Sequence, residues 1–225
     1  MNPEMHRNLY GIQVPARMVN LFLIIFYGVG VIGFIASPTQ SLFIMLTKWA
    51  LLLNFGLLVW FHQEQFRLKD VLILTLVFLF GYFIEVVGVQ TGFIFGQYRY
   101  GSGLGLKIWE TPLLIGMNWL MLSYCFVVVT NKLHLSKFLK VMIGATGMLI
   151  YDLILEQSAA LLNMWYWEGE TIPFQNYLSW FLIAALLQWL LHQFIIRKNN
   201  PLALTSLFCQ TFFFLSLVIY KNFWL

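Results

Sequence analysis

Residues 85–118 read EVVGVQTGFIFGQYRYGSGLGLKIWETPLLIGMN, and this stretch decides how the rest of the chain is interpreted. It starts with Glu85 at the end of the apolar run 71–84. It then passes through a connection rich in glycine, tyrosine and tryptophan and enters a second apolar run at Pro112. A solvated linker would be polar and poor in aromatic residues, whereas Tyr and Trp prefer a membrane–water boundary. The stretch therefore predicts two membrane-spanning segments joined by a loop at the membrane surface, with a carboxylate close to that loop.

The composition of the chain is that of an integral membrane protein. Of its 225 residues, 60% are hydrophobic and 10% are charged, whereas a soluble domain carries about 25% charged residues. The formal net charge of +4 comes from basic residues scattered between the apolar runs, which favours an orientation signal over nucleic-acid binding. We therefore expect one polytopic membrane domain over residues 1–225.

Seven apolar runs approach the length of about 20 residues that a helix needs to cross a bilayer. They cover residues 18–36, 42–61, 71–88, 112–130, 138–162, 177–196 and 202–220. The first run is longer than the core of a signal peptide, and Pro38 follows Ser37 where a cleavage site would have to lie, so we expect this run to be retained. The predicted fold class is all-α, an integral membrane bundle of about seven transmembrane helices.

The Lys and Arg residues between the runs predict the orientation, because cytoplasmic loops carry an excess of positive charge. With a cytoplasmic N-terminus, the cytoplasmic side holds Arg7, Arg17, Arg67, Lys69, Lys132, Lys137, Lys140, Arg197 and Lys198. The outer side then holds Arg99, Lys107 and Lys221. We therefore predict a multi-pass protein of the cytoplasmic membrane, with its N-terminus in the cytoplasm and its C-terminus outside.

Three acidic residues fall inside the apolar runs, where an ionisable side chain is costly and marks function by default. Glu85 lies about one turn from the outer end of the third run, and Asp152 lies near the middle of the fifth. Glu156 follows Asp152 by four residues, so both side chains share one helix face and should share protons. The alternative is structural: each acid would hydrogen-bond a neighbouring helix, or Glu85 would instead pair with Arg99.

Simpler interpretations also exist for the aromatic residues and the histidines. Trp165, Tyr166, Trp167 and Trp180 fit an interfacial aromatic belt as well as a binding site. The four histidines share no metal-ligand spacing, and the sequence holds no phosphate loop, nucleophile elbow or dinucleotide fingerprint. We therefore predict neither a metal site nor a cofactor.

Carboxylic acids in an apolar, aromatic cavity suit one class of chemistry. Burial favours the neutral acid, which can then donate a proton, and the faces of Trp, Tyr and Phe can stabilise a cation. This combination points to protonation of an alkene in a lipid-soluble substrate. The resulting tertiary cation would take up water, lose a proton or cyclise, and the residues alone leave these outcomes open.

A longer motif narrows the choice. It reads Glu85-x-x-Gly88-x-x-Thr91-Gly92-x-x-Phe95-Gly96-x-Tyr98-x-Tyr100 and continues through Pro112, Asn118-Trp119, Asp152, Trp165-x-Trp167 and Ile172-Pro173-x-x-Asn176-x-x-x-Trp180. Over about residues 75–182 the pattern resembles the multi-pass carotenoid-biosynthesis membrane family, which includes carotenoid hydratases of the bisanhydrobacterioruberin hydratase type. Where that family follows its fifth-helix Asp with a second Asp and a Pro, this chain has Glu156 and Gln157.

The resemblance implies a cofactor-independent enzyme that hydrates the terminal double bond of an acyclic carotenoid end group to a tertiary alcohol. In this hypothesis Asp152 or Glu85 protonates the alkene, the other orients water or accepts its proton, and Glu156 tunes the pair. The candidate substrate-binding residues are Thr91, Tyr98, Tyr100, Asn118, Trp119, Trp165, Trp167, Asn176 and Trp180. Proton transfer works only across hydrogen-bond distances. One cavity in the outer half of the bilayer should therefore be lined by Glu85, Asn118, Asp152 and Asn176.

Two other functions stay open at this point. A lycopene-cyclase-like enzyme shares the protonation step but traps the cation internally, and a non-catalytic carotenoid carrier or assembly partner would bind the pigment without reaction. The expected partners are a lipid-soluble carotenoid, water and membrane lipid, with other carotenoid-pathway enzymes as further candidates and no nucleic acid.

Overall fold

The computed structural model of the chain describes residues 6–9, 12–62, 67–169, 171–194 and 199–224. Within them, seven α-helices are long and apolar enough to cross a membrane. They are α1 (Ala16–Ile35), α2 (Gln40–Trp60), α3 (Leu68–Thr91), α4 (Leu113–Asn131), α5 (Lys137–Ala159), α6 (Phe174–Phe194) and α7 (Ala203–Trp224). The short strands are β1 (His6–Leu9), β2 (Ile12–Pro15), β3 (Tyr98–Tyr100), β4 (Lys107–Ile108), β5 (Thr111–Pro112) and β6 (Trp165–Trp167). The predicted all-α bundle of seven apolar helices is confirmed.

The helix boundaries lie within a few residues of the predicted ones, and the differences have local causes. α3 begins after Arg67, whose backbone N–H donates to the Asp70 carboxylate at 3.3 Å. It ends at Thr91 and is followed by Gly92 with a φ of 63°, a left-handed conformation that glycine adopts without strain. The fifth apolar run extends to residue 162, but α5 already ends at Ala159, because the chain turns back through Asn163 (φ 54°) into β6.

α4 is the central helix of the bundle, and most of its side chains are buried. It packs against α2, α3, α5, α6 and α7. Its approach to α3 is close because glycine faces a large side chain on each helix. A Cβ atom added at Gly81 would lie 2.5 Å from Cβ of Trp119, and one added at Gly116 would lie 2.8 Å from Cβ of Tyr82. Small residues at such crossings let membrane helices pack tightly.

Two loops at one end of the bundle pair with each other. β3 and β6 run antiparallel, with Tyr98 opposite Trp167 and Tyr100 opposite Trp165. Side chains alternate along a strand, so both tyrosines are buried while Arg99 between them is exposed. We call this pair of strands the lid, because it covers the end of the bundle where α3 and α5 finish and α4 and α6 begin.

The orientation of the bundle in the membrane stays a prediction. The lid lies at the end of the bundle that the charge pattern assigns to the outside of the cell. Two of the charges in that argument, Arg197 and Lys198, lie outside the described residues. Asn131 precedes α5 and Gly169 follows it, so the two residues lie at opposite ends of this helix. The side of the membrane on which each residue lies therefore gives the orientation of the bundle.

Candidate active site

Glu85 lies near the end of α3, and its carboxylate accepts three hydrogen bonds. Tyr98 and Tyr100 donate their hydroxyl groups to Oε2 at 2.6 and 2.7 Å, and Trp119 of α4 donates its indole N–H to Oε1 at 2.8 Å. The Glu85 side chain is only 3% exposed. Three donors in a buried site suit an ionised carboxylate, because charge-assisted hydrogen bonds replace the water that it has lost.

The local sequence explains how a tyrosine reaches Glu85. The chain turns back over α3 at Gly96, where φ is 107° and a side chain would be strained. A Cβ atom added at Gly88 would lie 2.5 Å from the Phe95 ring and 3.3 Å from the Tyr98 hydroxyl. Gly88 follows Glu85 by three residues and so lies on the same face of α3. The glycine of the motif thus leaves the space into which the aromatic side chains of the loop pack.

The two tyrosines of the lid are set up as hydrogen-bond donors. Burial raises the pKa of Tyr98 and of Tyr100 well above the ordinary value of 10.0, and the negative charge of Glu85 raises the pKa of both further. Each phenol therefore keeps its proton at physiological pH and donates it into the hydrogen bond with the Glu85 carboxylate.

Glu156 is held in the same way by the other strand of the lid. Trp165 and Trp167 both donate their indole N–H groups to Oε2 at 2.9 Å, and Asn176 of α6 donates its Nδ2 to Oε1 at 3.2 Å. Residues two apart in a strand point to the same face, which is why both tryptophans of β6 reach one acceptor. One strand of the lid therefore holds Glu85, and the other holds Glu156.

Asp152 has a different environment from the other two acids. Its side chain is fully buried, and its Oδ2 accepts one long hydrogen bond of 3.4 Å from Nδ2 of Asn176. Its Oδ1 has no hydrogen-bond partner among the described residues. An ionised carboxylate with a single long hydrogen bond is very costly in such a place, so this environment suits a protonated carboxyl group.

A small pocket lies between these groups, which we call the acid pocket. Its walls are formed by Glu85, Phe95, Tyr98, Tyr100, Ile115, Glu156, Trp165, Trp167, Asn176 and Trp180. The space open to the centre of a water molecule is about 20 Å³, and one buried water needs about 10–15 Å³ by the same measure. The acid pocket therefore has room for water between two carboxylates.

Aromatic rings surround the acid pocket. Trp119 and Trp180 stack with their ring centroids 3.9 Å apart and their planes 23° from parallel. The rings of Tyr98 and Trp167 lie 5.2 Å apart across the lid. Because the negative faces of such rings attract positive charge, these walls can stabilise a cation without forming a bond to it.

Most of the predicted site residues line the acid pocket, and Trp119 is joined to it by its hydrogen bond to Glu85, whereas Thr91, Asn118 and Asp152 lie outside its wall. The Thr91 hydroxyl donates to the Val87 carbonyl at 2.7 Å and accepts from the Phe93 N–H at 3.1 Å, so it closes the end of α3 in an exposed position. Asn118 is buried in a separate, smaller cavity, although that cavity shares the wall residues Ile115 and Trp165 with the acid pocket. Asp152 reaches the acid pocket only through Asn176.

One structural alternative raised by the sequence is wrong. Arg99 does not pair with Glu85, because it points away from the bundle and lies over the Tyr166 ring at 5.2 Å. The alternation of side chains along the short strand causes this, since Arg99 stands between two inward-pointing tyrosines.

Among the residues that the structure describes, no three His, Cys, Asp or Glu side chains lie close enough together to hold a metal ion.

Two wall residues were not singled out from the sequence. Phe95 is a member of the motif, but its packing on Gly88 gives it a place in the pocket wall. Ile115 precedes Trp119 by four residues and therefore shares its face of α4. This spacing could have indicated that Ile115 lies beside Trp119. An isoleucine in an apolar helix, however, has no chemical property that distinguishes a binding site.

Comparison with protein families gives a match over most of the chain. A family described as "Carotenoid biosynthesis protein" matches residues 40–225. This range is wider than residues 75–182, the part of the sequence that carries the motif. It also includes α2 and α7.

Comparison with individual proteins also finds a similar relative. It is "Bisanhydrobacterioruberin hydratase" of Haloarcula japonica, which is 31% identical over 121 residues. The aligned part covers 48% of this chain and 40% of the relative, so the similarity spans less than half of either protein. No solved structure matches the chain.

Proposed function

Because the chain belongs to the carotenoid biosynthesis protein family, we propose that it hydrates the terminal double bond of an acyclic carotenoid end group. The name of the Haloarcula japonica relative supports a hydratase. The observation that carries the proposal is the acid pocket, which offers a water-sized space between Glu85 and Glu156. A hydratase must hold water beside the base that activates it, whereas a cyclase must keep water away from the cation.

The proposed proton donor is Asp152. Its unmatched Oδ1 and single long hydrogen bond fit a carboxyl group that carries a proton. Transfer of this proton to the less substituted carbon of the terminal alkene leaves a tertiary cation on the other carbon. Protonation by a positioned acid of this kind contributes about 10²–10⁴-fold to a rate.

The proposed base is Glu85. Its three donors hold it as a carboxylate at the wall of the acid pocket, where it can accept a hydrogen bond from a water molecule. The oxygen of that water attacks the tertiary cation, and the proton that it releases passes to Glu85. The net change is alkene plus water to tertiary alcohol, and the steps use only an acid, a base and water.

The catalytic cycle then requires a proton to return from Glu85 to Asp152. Glu156 borders the acid pocket, and it shares the Asn176 amide with Asp152. In this proposal Glu156 tunes the pair and lies on the route of the returning proton. The stacked rings of Trp119 and Trp180 stabilise the cation between the two transfers.

The proposed setting is the cytoplasmic membrane, in which a carotenoid dissolves. The seven apolar helices support a multi-pass protein. The charge pattern supports a cytoplasmic N-terminus and an outer C-terminus. With that orientation the lid and the acid pocket face the outer half of the bilayer.

The test is expression of the full chain in a bacterium that makes lycopene, followed by mass analysis of the extracted pigments. A product heavier by one water supports hydration. An isomer with the mass of the substrate would instead support a cyclase, and unchanged pigment would support a carrier. The Asp152→Asn variant, at matched protein level, is the control that links the product to this site.

A further inference from the structure

A second cavity opens between α2, α3 and α4, at the end of the bundle away from the lid. The space open to the centre of a water molecule there is about 310 Å³. Its walls are almost entirely apolar, with Phe55, Leu74, Phe78 and Met121 among them. Val59 of α2 and Val71 of α3 belong to its wall and are each 44% exposed, so the cavity opens on the outer surface of the bundle between α2 and α3. We call it the apolar pocket.

The apolar pocket lies in line with Glu85 along α3. Val71, Leu74 and Phe78 of its wall are followed at helical spacing by Gly81 and Glu85, in steps of three and four residues. Such residues form one stripe along a helix. Phe78 and Glu85 are seven residues apart, which is about 10 Å at the helical rise. The same stripe of α3 therefore carries the apolar pocket at one end and the acid pocket at the other.

Trp119 stands between the two pockets. A Cβ atom added at Gly81 would lie 2.5 Å from the Cβ of Trp119. The Trp119 side chain therefore starts beside the stripe, between Phe78 and Glu85. Its indole N–H donates to Glu85 at 2.8 Å. The next residue along α4, Leu120, already belongs to the wall of the apolar pocket. A long molecule in the apolar pocket would thus have one end close to the indole that covers Glu85.

We propose that the apolar pocket binds the polyene chain of the substrate, with the reacting end directed at Trp119. This inference rests on the proposed function, since it assumes a carotenoid substrate. The wall favours a conjugated chain because it includes the aromatic residues Phe55, Phe78 and Tyr124. A lipid acyl chain would fill the same volume, but it would have no reason to lie on the stripe that leads to the acids.

The far end of the apolar pocket is polar. His62 and the Tyr124 hydroxyl are 2.6 Å apart, and Asn200 donates its Nδ2 to the same hydroxyl at 3.2 Å. His62 and Tyr124 both contribute to the wall. Because this hydrogen-bonded group closes the pocket at the end away from Glu85, it defines how far a chain can slide and so helps to fix its register.

The test is the amount of pigment that co-purifies with the full-length protein from a lycopene-making bacterium. Leu74→Trp fills the apolar pocket, and Leu76→Trp adds the same ring on the lipid-facing side of α3, where Leu76 is 49% exposed. We expect Leu74→Trp to carry about tenfold less pigment than the wild type, because overpacking a fitted site weakens binding. Leu76→Trp should carry the wild-type amount.

A second pair of variants guards against a folding defect. Thr75→Phe also narrows the apolar pocket, and Leu72→Phe is its lipid-facing control. Pigment retained at the wild-type level in Leu74→Trp and Thr75→Phe would overturn the inference, as would a wild-type protein that carries phospholipid but no pigment. Loss of pigment in both, with no water-added product from the wild type, would support the pocket and reject hydration. Asp152→Asn should keep its pigment while losing product.

Discussion

Tyr98 and Trp167 stand opposite each other on the paired strands of the lid, with their rings 5.2 Å apart, and each donates a hydrogen bond to a different intramembrane carboxylate. Tyr98 reaches Glu85, and Trp167 reaches Glu156. The two acids come from different helices, but their donors belong to one small sheet. A shift of either strand therefore changes the hydrogen bonding of both acids at once.

Asp152→Asn should abolish most activity while leaving the protein folded. The amide keeps the shape of the side chain but has no acid proton to transfer, so we expect product formation to fall by about 10²-fold or more. Glu156→Gln should lower it less, because Glu156 is not the proposed donor. Pigment turnover in membranes with matched protein levels measures both. Normal product from Asp152→Asn, with loss from Glu156→Gln, would reverse the two assignments.

Glu85→Gln should destabilise the protein as well as inactivate it. The carboxylate accepts from three donors, and the amide group of glutamine would turn its own N–H₂ toward one of them. Such a mismatch in a buried site costs about 1–3 kcal/mol. Thermal unfolding in detergent measures the loss, and Glu168→Gln is the matched control because Glu168 is exposed. Equal melting temperatures for the two variants would contradict the three-donor site.

Gly81→Ala should disturb Trp119 and, through it, Glu85. The added Cβ would lie 2.5 Å from that of Trp119, and overpacking of this kind costs about 1–3 kcal/mol. Gly28→Ala is the control, since a Cβ at Gly28 meets no atom within 4 Å. Melting temperature and product formation should both fall in Gly81→Ala alone. An unchanged Gly81→Ala protein would mean that α3 and α4 are farther apart than described.

Stability should decline at alkaline pH because of the lid tyrosines. The pKa of Tyr98 and of Tyr100 is raised in the folded protein, so the folded state keeps these protons when the unfolded chain has begun to lose them. The folded state is therefore destabilised relative to the unfolded chain as pH rises above about 10. Melting temperature measured against pH should fall more gently in Tyr98→Phe than in the wild type. Tyr166→Phe, whose hydroxyl does not contact Glu85, should follow the wild type.

Reporter fusions should place the lid outside the cell. Asn131 ends α4 and Gly169 follows β6, so one complete helix, α5, separates them. A fusion at Asn131 should report the cytoplasm and a fusion at Gly169 the outside, as the charge pattern requires. The reverse result would show that the bundle has the opposite orientation. If both fusions report the same side of the membrane, α5 does not span it.

The fold was predictable because each helix is a long, predominantly apolar run, and lipid leaves few alternatives to a helix for such a run. The placement of Glu85 and Glu156 at one end of the bundle was also predictable. An odd-numbered helix ends where an even-numbered one begins, so residues near those ends share one side of the membrane. The one-turn spacing of Asp152 and Glu156 needed only helical geometry.

The partners of the acids could not be predicted in the same way. The indole donors of Glu156 depend on the pairing of β3 with β6, and these strands are too short for sequence to show which segments pair. Thr91 was assigned to the site because it belongs to the motif, but its hydroxyl bonds the backbone of its own helix. Side-chain hydroxyls commonly do this near helix ends, and a spacing pattern does not separate that role from ligand binding.

The closure of the acid pocket has a kinetic consequence. The lid and the stack of Trp119 on Trp180 leave space for water but not for the end of a polyene, so each turnover of the proposed reaction requires a ring or a strand to move aside and return. Steps of this kind commonly limit enzymes whose chemistry is shielded by a loop. The rate of product formation should then follow the frequency of opening rather than the strength of the acid. It should slow in a stiffer, more ordered bilayer, even when substrate is plentiful.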